Sequence, residues 1–237
     1  MTRLMLGTIL LLLSVTSVVA SEPVKIFTSV FPPIVNEGKE NPGYAYEIVE
    51  EIFKVAGIDY KISQVPWARA QAIVENTPGS LIFPLTRTPT RETKFHWGFK
   101  MFNTQTHFVT LNNNKLTRET AKTKLVSVQL ASSWDNWLTE NGYTNVVRLS
   151  NEGEQHIRML SAGRTDAWYA EKSVAKDMLK NMDIENATFS DPVLSFDTYL
   201  ASNKAEPFKE MDKLKAAFDE IVESGRYAEI LRKYHLL

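Results

Sequence analysis

The chain has 237 residues, a formal charge of −1, 43% hydrophobic and 23% charged residues, and no cysteine. This is the balance of an ordinary globular protein, and it offers no electrostatic grip on nucleic acid or an anionic membrane surface. Without cysteine there are no disulfide staples and no site for a lipid-modified cysteine anchor, so a packed core must carry stability.

In chain order, Arg3 precedes an apolar run over residues 4–13, and small residues follow, ending Val18-Val19-Ala20. The apolar run falls short of the ~20 residues of a spanning helix. The pattern predicts a signal peptide over residues 1–20, cleaved after Ala20, and an unanchored product in the periplasm of a two-membrane bacterium.

Residues 24–30 are β-rich and end at Phe31-Pro32-Pro33. From Tyr44, Ile48, Val49, Ile52, Phe53 and Ala56 recur on one helical face, and Gly57 stands where a left-handed C-cap belongs. Ile58, Tyr60 and Ile62 alternate with polar residues, predicting a half-buried strand. Pro66 opens a helix carrying Trp67, Ala70, Ile73 and Val74, and residues 81–85 form another strand. The order β-α-β-α-β predicts an α/β unit with a mostly parallel sheet.

A second such unit follows. Residues 108–111 are extended, 125–129 form a strand, and Ser132 or Ser133 caps a helix through Leu138. Residues 146–149 form a strand, and Asn151-Glu152-Gly153-Glu154 resembles a capping box starting a helix to Ala162-Gly163. Residues 166–170 and 171–181 read as strand and helix. Residues 196–201 are extended, and two amphipathic helices finish the chain, the first burying Phe208, Met211, Leu214, Phe218, Ile221 and Val222. The extended segments 108–111 and 199–201 predict two crossovers forming a hinge. Lobe 1 is then 21–108 plus 200–237, lobe 2 is 109–199, and the ligand cleft lies between them, beyond the strand carboxyl ends.

The segment with most chemistry is Leu85-Thr86-Arg87-Thr88-Pro89-Thr90-Arg91-Glu92. An arginine just beyond a strand, with hydroxyls and free N–H groups beside it, suits two-point capture of a carboxylate. A solvated turn in which arginine pairs with Glu92 fits the same residues. Arg87 supplies a second cation, so two arginines facing one acid point to a more anionic guest. His96, His107, His156 and His235 lack metal-ligand spacing, so neither metal nor cofactor is expected. Ser173-x-x-Lys176 lacks companion motifs and falls within a helix.

Phe31-Pro32-Pro33, Gly43-Tyr44-Ala45-Tyr46-Glu47-Ile48, Pro66-Trp67-Ala68-Arg69-Ala70, residues 86–91 and Gly163-Arg164-Thr165-Asp166-Ala167, in this order and spacing, resemble the periplasmic solute-binding proteins of family 3, the amino-acid receptors of ABC importers. The resemblance implies a two-lobe, type II periplasmic-binding-protein-like α/β fold and a monomer closing on an amino acid or related acid. It implies Arg91 and Thr86 on the carboxylate, the helix start at Ser132 and Ser133 completing that site, Phe31 and Trp67 as aromatic walls, and Glu171 where the family has an aspartate for the ligand ammonium. The implied partner is an ABC permease or a sensor receptor. The rival expectation is an enzyme on this fold, dehydratase-like, with Glu171 as an acid.

Overall fold

The computed structural model describes residues 22–38, 40–111, 113–150 and 153–237. The signal peptide expected over 1–20 and the first two residues of the expected capping box, Asn151 and Glu152, lie outside the described residues.

The first unit places β1 (Val24–Thr28) between β2 (Tyr60–Gln64) and β3 (Leu81–Thr86), all parallel. β3 is buried along its whole length, as a strand covered on both faces must be. α1 (Tyr44–Ala56) buries Ile48, Val49, Ile52 and Phe53, and Gly57 ends it at φ 61° with its N–H on the carbonyls of Lys54 and Phe53. α2 (Trp67–Asn76) follows Pro66. A 3-10 turn, Pro89–Arg91, then leads into β4 (Phe95–Thr110), sixteen residues long.

The second unit comprises α3 (Arg118–Ala121), β5 (Val126–Gln129), α4 (Ser133–Glu140), β6 (Val146–Leu149), α5 (Glu154–Ser161), β7 (Ala167–Glu171) and α6 (Lys172–Asn181). β5 runs parallel to β6 and β7. Trp168 and Tyr169 point to opposite sides of β7, stacking on His156 and Phe108 respectively, and both are fully buried because helices cover both faces. β8 (Thr188–Phe189) pairs with β4, and β9 (Leu194–Asn203), α7 (Met211–Glu223) and α8 (Arg226–Lys233) complete the order. α7 and α8 return to the first unit: the Tyr234 hydroxyl donates to Glu47 at 2.7 Å and accepts the Gly43 N–H at 3.0 Å. Val222, expected inside, is exposed.

One continuous sheet joins the units in the order β2-β1-β3-β9-β4-β7-β5-β6. β9 pairs with β3 from Thr198 to Ser202, and β4 pairs with β7 from Thr106 to Val109. Between those contacts, Asn103, Thr104 and Gln105 of β4 pair with Asp197, Phe196 and Ser195 of β9. This antiparallel ribbon lies on the lobe-joining side of the expected crossovers: residues 108–109 already sit beside β7, and 199–201 beside β3.

Candidate functional site

The turn after β3 sorts its residues by alternation, since successive extended residues face opposite sides. Thr86 faces inward, Arg87 outward, and the 3-10 turn brings Arg91 back inside, with its N–H on the Thr88 carbonyl at 3.0 Å. Arg87 forms a two-point pair with Glu92, at 2.7 and 3.1 Å, and its guanidinium lies over the rings of Trp97 and Tyr199. Arg87 is exposed and does not line the inner cavity, so the structure does not bring the two arginines together there.

Arg91 is buried, at 3% exposure. Nη1 donates to the Thr86 carbonyl at 3.0 Å, and Nη2 to the Ala131 carbonyl, on the other unit, at 3.1 Å. Nε is buried with no hydrogen-bond partner. Desolvation pushes the Arg91 pKa down to about 10, against a smaller opposing pull from Glu75. Trp67 lies beneath the guanidinium, 6.0 Å from ring centre to Cζ, and meets Phe31 edge to face.

These side chains line a cavity of about 20 Å³ between the two units. That is space for about one water, which needs roughly 10–15 Å³, so a larger guest enters only if the units part. Phe31, Ile34, Trp67, Pro84 and Phe102 form its apolar walls. Thr104 and Thr198 of the bridging strands, their hydroxyls 3.5 Å apart, form its floor.

The opposite wall is the start of α4. Ser132 caps the helix, its hydroxyl accepting from the Asp135 N–H at 3.0 Å and donating to the Gln129 carbonyl at 2.8 Å. Ser133 Oγ, Gln129 Nε2 and Trp134 Nε1 are buried without a partner, like Arg91 Nε, and all four residues line this cavity. Buried polar atoms are nearly always satisfied in native proteins, so four around one small cavity single it out as the candidate site. A larger groove of about 360 Å³, lined by Lys176, Lys180 and Asp183, presents none of these atoms.

Sequence reasoning missed Gln129, Trp134, Phe102, Thr104 and Thr198. Gln129 ends a parallel strand, and the rule that ligands sit beyond strand carboxyl ends singles out that position.

Glu171 is buried but does not line the cavity. Its Oε2 caps α6, accepting the N–H groups of Ser173 at 2.7 Å and Val174 at 3.0 Å and the Ser173 hydroxyl. Burial raises its pKa, and these hydrogen bonds pull the other way. Burial, and after it the Glu171 charge, raises the pKa of Tyr44 in the first unit.

The two units also meet at Ala131, whose carbonyl accepts from Gln71 Nε2 at 3.1 Å as well as from Arg91. Ala131 holds a left-handed φ of 60°, and its N–H donates to Asp135, which is ion-paired with Arg148. Among the described residues no helix is long and apolar enough to cross a membrane, and no three His, Asp or Glu side chains gather as a metal site.

Among solved structures the fold is similar to ArtJ, the arginine-, lysine-, histidine-binding protein of Geobacillus stearothermophilus, with a TM-score of 0.80 and 19% identity over 90% of this chain and 95% of that one. It is similar to the GluR0 ligand-binding core of Nostoc punctiforme in complex with L-glutamate, with a TM-score of 0.80 and 16% identity over 91% and 100%. A histidine kinase sensor domain with similarity to periplasmic binding proteins matches at a TM-score of 0.81 and 13% identity over 90% and 96%. At such identities the likeness speaks to fold alone, the type II periplasmic-binding-protein-like α/β architecture. No curated protein matches the chain in sequence. The family model of the bacterial extracellular solute-binding proteins, family 3, matches residues 26–236. The chain belongs to that family.

Proposed function

We propose that the chain captures a small carboxylate-bearing solute between two lobes and presents the closed form to a membrane partner, an ABC permease or a sensor receptor. It works in the periplasm as a monomer that binds and does no chemistry. The supporting observation is the buried guanidinium of Arg91, whose hydrogen bonds go to neutral carbonyls and which keeps an unpartnered N–H. A carboxylate beside it supplies both the missing charge and the missing acceptors. The amide of Gln129, the hydroxyl of Ser133 and the first N–H groups of α4 add donors from the second lobe. Phe31 and Trp67 hold the apolar part of the guest, and Thr86 borders its carboxylate.

Closure follows from that division of labour. Arg91 belongs to one lobe and Ser133 and Gln129 to the other, so a bound anion bridges them and favours the closed form by its differential affinity for it. The bridge of residues 103–105 and 195–197 is the hinge of this proposal, with lobe boundaries near the expected 108/109 and 199/200.

Arg91→Met tests the assignment. Binding of carboxylates by calorimetry is expected to fall at least about 100-fold, the scale of a lost charge-assisted pair. Thermal stability without ligand is expected to stay level or rise, because an incompletely paired buried cation is removed. Wild-type affinity in a folded Arg91→Met protein would falsify the proposal. A large loss of stability would mark the arginine as structural instead.

A further inference from the structure

The cavity has one formal charge on its walls, that of Arg91. No carboxylate lines it, and four acidic residues of the surrounding sequence segments hold other partners. Glu171 caps α6, and Asp135 holds Arg148 and the Ala131 N–H. Glu92 holds Arg87, and Glu75 faces Lys94 at 3.4 Å. Of the four unpartnered polar atoms at the cavity, three are N–H donors and the fourth is a hydroxyl that donates equally well. The remaining surface is in part the apolar Phe31, Ile34, Trp67, Pro84 and Phe102, whose Trp67 face already underlies the Arg91 cation. The uncharged Thr86, Thr104, Thr198 and Ser132 complete it, the Thr104 and Thr198 hydroxyls facing each other and that of Ser132 capping α4.

Such a lining complements a body with acceptors at one end and hydrocarbon at the other. A ligand ammonium enclosed there gives up its hydration and gains no carboxylate in return. Resting on the carboxylate-capture reading, we propose that the guest is a small monocarboxylate with an apolar body and no ammonium group.

Matched pairs differing only in the α-amine test this, titrated into the purified chain by isothermal calorimetry. The pairs are propionate and L-alanine, 4-methylpentanoate and L-leucine, and 3-phenylpropionate and L-phenylalanine. The amine-free member of at least one pair is expected to bind at least about tenfold more tightly than its amino acid, with binding abolished in Arg91→Met. An amino acid that binds as tightly as its deaminated partner, or more tightly, removes the amine-free assignment and leaves carboxylate capture standing. No binding by any of the six, or binding undiminished in Arg91→Met, overturns carboxylate capture and the amine-free assignment together.

Discussion

A guanidinium taken out of water and held by backbone carbonyls is only partly compensated, because neutral acceptors do not return the whole of its hydration. Arg91 is in that position, whereas Arg87, four residues earlier in the same turn, is fully served by Glu92 and two aromatic rings. Composition alone does not separate the two arginines, since both stand among threonines. The difference lies in alternation at the end of β3 and in the 3-10 turn that reverses it, and Pro89 is the one residue of the segment that signals such a turn. Glu171 makes a residue-scale prediction of its own. Its folded-state pKa is raised by burial, so the folded chain holds that proton more tightly than the unfolded chain does. Its contribution to stability therefore falls as pH rises from the ordinary glutamate value, about 4.3, through the raised one. Glu171→Gln keeps a capping oxygen and has no charge to bury. It is expected to melt level with wild type near about pH 4 and above it near about pH 7. Parallel pH profiles of the two melting temperatures would argue against this.

At the scale of elements, the parallel strands and their helices were legible because each carries an uninterrupted period. The apolar face of α1 and the capped start of α4 fall where periodicity and a serine N-cap predict them. β4 was legible only at its far end. Its pairing with β9 slips between Trp97 and Phe99 and again between Lys100 and Phe102, and each slip resets the alternation that marks a strand. Phe102 and Thr104 entered the cavity unannounced for the same reason. Gly43 shows the opposite case, where one residue type is dictated. It precedes α1 at φ 96°, and a Cβ built there lies 2.5 Å from the Ile34 carbonyl oxygen. That carbonyl accepts the Ala45 N–H, so the first turn of α1 and the Phe31–Val35 loop are fixed together. Gly43→Ala is expected to cost at least about 2 kcal/mol, read as a lower urea midpoint with an unchanged slope. A midpoint equal to wild type would show that the loop yields at no cost.

For the whole molecule, the closed arrangement rests on few polar contacts between lobes, and the Ala131 carbonyl takes two of them. Gln71 touches it without lining the cavity. A hydrogen bond worth about 1 kcal/mol shifts an open–closed equilibrium about fivefold. Gln71→Ala is therefore expected to enlarge the radius of gyration of the unliganded protein in small-angle scattering and to weaken ligand binding by a similar factor. Unchanged scattering would show that closure does not depend on this contact.

The position of β9 has a consequence for how the chain is made. Residues 194–203 lie in the middle of the sheet, between β3 and β4, yet they follow the whole second unit in chain order. Until they emerge, β3 and β4 have no common neighbour and the first lobe has an open seam along its centre. The β3–β9 and β4–β9 pairings are thus deferred until the second lobe has been synthesised, while β1, β2 and β3 can already pair with one another.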